Sequence, residues 1–270
     1  MEGIGGYTLS EWLLFFYIYC FIGWIWESCY VSARKRHWVN RGFLKGPLLP
    51  IYGSGAVVIL AAALPLRQYP VLMVLGGMAA ATLLEYVTGA AMEALFKARY
   101  WDYTGEFLNL KGYICLKSSL CWGVMTLLLV YAVHPPLAEL VTGLSPRIRY
   151  WASLILTALT AGDFATSFQA AMDFRNLLLR TERLREELKA LQARMDQLEV
   201  QIAGAGEELR AQYRELQLRR KLHLEKLQSL YSRRVHGLLR RNPGTVSRRH
   251  KESLEAIRRM IRERVEKDRK

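Results

Sequence analysis

Between Leu9 and Asp173 the sequence keeps returning to long apolar runs separated by short basic or proline-bearing turns, a pattern that commits the chain to helices bundled in a bilayer. A backbone in hydrocarbon has no water to satisfy its N–H and C=O groups, so an open-ended segment crosses as a helix, and about 20 mostly apolar residues suffice. Five stretches reach that length: 9–31, 43–66, 70–96, 112–133 and 150–173. The expected fold class is therefore all-α, a polytopic membrane protein of about five transmembrane helices. The start, Met-Glu-Gly-Ile-Gly-Gly-Tyr, lacks the basic n-region of a cleaved signal peptide, so the first run is expected to remain as an anchor.

The second run is unlike the others. From Asn40 to Gly55 it reads Asn-Arg-Gly-Phe-Leu-Lys-Gly-Pro-Leu-Leu-Pro-Ile-Tyr-Gly-Ser-Gly, with Arg41, Lys45, two prolines and four glycines. Proline removes a donor and glycine weakens a helix, so this helix should be broken or start late. Non-helical backbone at membrane depth survives where protein buries it or where it lines a wet cavity, and interrupted spans build many transporter sites. A re-entrant turn with a purely structural task is the competing reading.

Charge divides the chain at residue 173. Residues 1–173 hold 12 Lys and Arg against 10 Asp and Glu, whereas 174–270 hold 26 against 14. In the tail, Leu177, Leu184, Leu188, Leu191, Met195, Leu198 and Ile202 keep a near 3,4 spacing, the seam of a coiled coil. Gly204 and Gly206 interrupt it, and a second helical stretch runs from Glu207 to Leu239. An antiparallel hairpin over 174–240 and a homodimer through a continuous coiled coil both fit. Residues 241–270 form a basic tail whose short helix puts Leu254, Ile257, Ile261 and Val265 on one face. Its partners are expected to be the lipid bilayer and its anionic lipids rather than nucleic acid, because zinc-finger spacing and aromatic interleaving are missing. A simply solvated helical face is the alternative.

Orientation follows from the loops. Arg34, Lys35, Arg36, Arg41, Lys45, Lys97, Arg99 and Lys111 flank one side, against Arg67, Arg147 and Arg149 on the other. The expectation is an N-terminus outside and a cytoplasmic C-terminus in the bacterial inner membrane.

Ionisable groups in apolar runs are the functional signal, because a charge at bilayer depth is costly unless paired or hydrated. Glu85 and Glu93 lie on one run, separated by about 80° around a helix, close enough to line one broad face. Asp163 sits near the centre of the fifth run, and Glu27, Asn40, Arg41, Asp102 and Lys111 collect toward the basic side. These eight residues are the candidate substrate-binding set, and a ring of structural ion pairs is the bland reading of the same residues. Cys20, Cys29, Cys115 and Cys121 lack metal-ligand spacing and read as small hydrophobes, and all five histidines fall in turns or the tail. No hydrolase, zincin or phosphate-loop motif occurs, so neither catalysis nor a cofactor nor a metal is expected.

Four blocks resemble a known family: Gly23-Trp-x-x-Glu27; Asn40-Arg-Gly-Phe-Leu-x-Gly-Pro-x-x-Pro-Ile-Tyr-Gly-x-Gly55; Glu85-Tyr-Val-Thr-Gly-x-x-Met-Glu93 with Trp101-Asp-Tyr103; and Gly112-Tyr-Ile-Cys-Leu116 with Trp122-Gly123. Over roughly residues 8–135 the chain is similar to bacterial ABC-transporter permeases of the CmpB type, common in Firmicutes. The resemblance implies a membrane transport component with a separate ATPase subunit as partner, and the charged residues in the apolar runs add the expectation of a small polar or charged solute. The alternative is a membrane-anchored scaffold or sensor that recruits a cytoplasmic partner through its coiled coil.

Overall fold

The computed structural model describes residues 6–202, 207–230 and 232–267, which form helices joined by loops with no β-strand among them. Helix α1, Leu9–Lys35, begins at a capping box in which Thr8 and Glu11 exchange hydrogen bonds, and it stops where Arg36 turns left-handed. Helix α2 occupies Pro50–Ala63 and tightens into a 3₁₀ turn over Leu64–Leu66. Residues 43–49, counted above within the second span, stay outside it. Proline fits a first helical turn because its missing donor is not needed there, so Pro50 sets where the helix starts.

Helix α3, Pro70–Phe96, is apolar and ends at a left-handed Lys97. Helix α4, Leu116–Leu128, passes through a π-turn at Leu129–Val133 into α5, His134–Thr142. Here the structure corrects the sequence expectation, which ended this span at Val133 and left His134 in a turn. The wider π register lets the His134 N–H reach the Leu129 carbonyl, and Pro135 then falls in the first turn of α5. His134 is consequently buried inside the bundle.

Helix α6, Pro146–Ile202, is unbroken and about 85 Å long, so residue 173 lies within it. Helix α7, Glu207–Ser229, runs back along α6, with His223 meeting Glu187 at 2.9 Å and Gln212 and Leu216 facing Arg194 and Leu198. The turn at Gly204 and Gly206 lies outside the described residues. The stretch expected to run to Leu239 is two helices: α8, Arg233–Arg241, starts afresh because the Ser232 hydroxyl caps the Val235 N–H. Helix α9 is Lys251–Lys267.

Among the described residues, three helices are long and apolar enough to cross a membrane: Leu9–Lys35, Pro70–Phe96 and Leu116–Thr142, with Pro50–Leu66 a shorter apolar helix. One core joins Phe15, Ile59, Leu60, Met73, Val130 and Val141 between these helices. The α1 and α2 backbones cross closely, since a Cβ on Gly53 would stand 2.5 Å from the Phe16 carbonyl oxygen. A second core lies beyond the apolar helices, where Phe96, Ala98 and Tyr100 meet Phe174 and Leu178 of α6, Val235 and Leu238 of α8, and Leu254 and Ile257 of α9. The tail is thus seated on the basic end of the bundle.

Candidate functional site

Three groups of polar side chains gather at that basic end. Loop 97–115, which joins α3 to α4, organises the first. Arg99 is 6% exposed and reaches Glu93 at 2.8 Å, Asp102 at 3.2 Å and the Lys111 carbonyl at 2.9 Å. Its guanidinium also lies 4.6 Å from the centre of the Tyr113 ring, and the Tyr113 hydroxyl donates to Glu93 at 2.5 Å. Lys111 and Gly112 adopt φ of 54° and 75°. A Cβ on Gly112 would stand 2.5 Å from Asp102 Oδ1 and 2.7 Å from Arg99 Nη1, so the hub closes only around a glycine. Burial works against the Asp102 anion, but hydrogen bonds from Thr104 and the guanidiniums of Arg248 and Arg99 outweigh it, holding its pKa below the ordinary value.

Loop 36–49 forms the second group. Arg41 reaches Glu27 at 3.4 Å and Asn242 Oδ1 at 3.2 Å, and Asn40 accepts from the Trp24 indole at 2.7 Å while donating to the Lys45 carbonyl at 2.8 Å. Asp163 of α6 accepts the Lys45 and Gly46 backbone N–H groups at 3.1 and 2.7 Å and the Ser167 hydroxyl at 3.1 Å. The glycine-rich approach to α2 is therefore tied to α6 through its own main chain.

Glu85 is the third locus. It is 6% exposed in the middle of α3, and its two oxygens accept from the Tyr103 hydroxyl and the Trp122 indole, each at 3.0 Å. Burial first, and then the adjacent carboxylate, push the Tyr103 phenol above its ordinary pKa, which keeps it a donor. Glu27, Glu93 and Asp102 each have an arginine, whereas Glu85 is met by neutral donors, the Tyr103 phenol and the Trp122 indole together with the Ser118 hydroxyl.

The structure thus brings Glu93, Asp102 and Lys111 into one hub and Glu27, Asn40 and Arg41 into another, with Asp163 beside the second. Glu85 and Glu93 do not meet; loop 97–115 separates them by giving each its own tyrosine. Lys111 contributes its carbonyl. Sequence reasoning treated Arg99 only as a flanking charge and missed Tyr103, Trp122 and Asn242. Tyr103 and Trp122 stood in the blocks that carry the family resemblance, but nothing local pointed them at Glu85. At the opposite end, Glu11 pairs with Arg149, and His134 shares hydrogen bonds with Tyr19 at 2.9 Å and Tyr7 at 3.1 Å. No group of three or more His, Cys, Asp or Glu among the described residues is arranged to hold a metal.

A family model described as "Putative ABC-transporter type IV", the CmpB model, matches residues 14–168, which include all three groups apart from Asn242 and Arg248. No curated protein and no solved structure matches the chain.

Proposed function

The chain belongs to this ABC-transporter type IV family of multi-pass membrane transport components, and from that premise we propose that Glu85 is where it handles a small solute carrying positive charge. One observation carries the reading. Glu27, Glu93, Asp102 and Asp163 are balanced by arginine or by backbone N–H groups, whereas Glu85 sits in an apolar helix where the donors that meet it, a phenol, an indole and the Ser118 hydroxyl, are all neutral. An unbalanced carboxylate at that depth is costly, and a cationic group or a proton removes the cost. Glu27, Asn40, Arg41, Glu93, Asp102, Lys111 and Asp163 then shape the approach, with the basic end and the C-terminus in the cytoplasm and the N-terminus outside. A separate ATPase supplies energy from that side, and the basic tail rests near anionic lipid.

The test is an E85Q variant in nanodiscs together with the ATPase that co-purifies in mild detergent. ATP hydrolysis by the wild-type complex should rise with an amine-bearing solute from a panel, and the E85Q complex should be indifferent while keeping its abundance and helicity. An E85Q chain that fails to accumulate would make Glu85 a structural group. The scaffold reading is supported by the α6–α7 hairpin, which leaves Leu218 and Leu222 more than half exposed. It gains if the co-purifying protein has no ATPase activity.

A further inference from the structure

Residues 242–250 join α8 to α9, and their first seven, Asn-Pro-Gly-Thr-Val-Ser-Arg, are mostly small or polar, a composition that would ordinarily be solvated. Here Asn242, Thr245 and Ser247 are each at least 95% buried. The Asn242 amide donates to the Gly42 carbonyl at 2.9 Å and accepts from Arg41 at 3.2 Å. Val246 and Arg99 exchange both backbone hydrogen bonds, at 2.7 and 2.9 Å, an isolated antiparallel bridge. The Ser247 hydroxyl donates to the Lys97 carbonyl at 2.8 Å, and Arg248 reaches Asp102 at 3.6 Å. From its other side, Arg258 of α9 donates to the Thr245 carbonyl at 2.7 Å.

We infer that this segment is a transmission strap: the helical hairpin is coupled to the Glu85 locus through it, with Asn242, Val246 and Ser247 as positioning residues. The route has contiguous parts. Helices α8 and α9 are packed on α6, the long arm of the hairpin, by Val235, Leu238, Leu254 and Ile257. The strap pairs with the Arg99 backbone, and the Arg99 side chain holds Glu93, Asp102 and Lys111. The Tyr103 N–H is bonded to the Gly112 carbonyl of the same hub, and its hydroxyl is bonded to Glu85. Displacing α8 relative to the bundle therefore pulls on the loop that places the Tyr103 hydroxyl. This coupling stands whether or not Glu85 meets a solute, so its test reads loop opening and not transport.

Cys115 is the reporter. It is 2% exposed where loop 97–115 ends and caps α4. In the full chain in nanodiscs, with Cys20, Cys29 and Cys121 changed to serine, Cys115 alkylation by N-ethylmaleimide is timed. V246P removes one donor from the Arg99 pair and should speed alkylation about tenfold with helicity unchanged, whereas V246A, which keeps the N–H, should react like its parent. L238A should also speed alkylation, and should add nothing in the V246P background because the strap is already parted. S247A, a milder cut, serves should V246P not fold, and should give a severalfold increase. Equal rates for V246P, or for S247A in its place, and the parent overturn the proposal, as does a fully additive effect of L238A.

Discussion

Removing the Arg99 guanidinium is the sharpest test of how the basic end is held. R99M keeps a chain of similar reach but leaves Glu93, 25% exposed, without a cation and Asp102, 22% exposed, with Arg248 alone, and it takes the donor from the Lys111 carbonyl. Breaking a buried pair by deleting one partner costs about 3–5 kcal/mol. Because both carboxylates keep some water contact, the lower limit applies, about 3 kcal/mol. For a chain of this size each kcal/mol moves Tm by about 2–4 °C, so R99M should melt about 6–12 °C below wild type in the same detergent. Adding E93Q should recover part of that loss, because one stranded charge disappears, giving a coupling of about 1–2 kcal/mol. R99K should fall between, since an ammonium keeps the charge but cannot span three acceptors as the planar fork does. The assay is the far-UV circular dichroism melt of each purified variant. A shift under 2 °C for R99M, or strict additivity with E93Q, would refute the claim that one cation organises this loop.

G112A should cost about 1–3 kcal/mol through its left-handed φ alone, and more through contact with Asp102 and Arg99, lowering the yield of folded protein in membranes. F174A, which empties the centre of the second core, should cost about 3–5 kcal/mol and make residues 233–267 the first to be cut in limited proteolysis. The depressed pKa of Asp102 means that the unfolded chain binds the extra proton first. Its stabilising contribution is therefore fully present above about pH 4 and is lost as pH falls through the lower folded value. A D102N variant should accordingly lose less Tm than wild type between pH 6 and pH 3.

The sequence by itself determined that helices carry this chain and roughly where the apolar ones lie, because length and hydropathy act locally and a bilayer leaves few alternatives. It also marked Glu27, Arg41, Glu85, Glu93, Asp102 and Asp163 as out of place, since a charge in an apolar run is conspicuous without knowing its neighbours. It could not say which pairs form. Glu85 and Glu93 share a helix and seemed to share a site, yet a connecting loop gives one an arginine and leaves the other with neutral donors. It ended one helix at Val133, because the two prolines after His134 outweigh a π-turn that only the packing of His134 between Tyr7 and Tyr19 reveals. Above all, a linker written as Asn-Pro-Gly-Thr-Val-Ser reads as solvent-exposed, and only the fold buries it against Arg41 and Arg99. Those contacts span about 150–200 residues of chain, and hydrogen bonds at such separation leave no periodicity or composition to read.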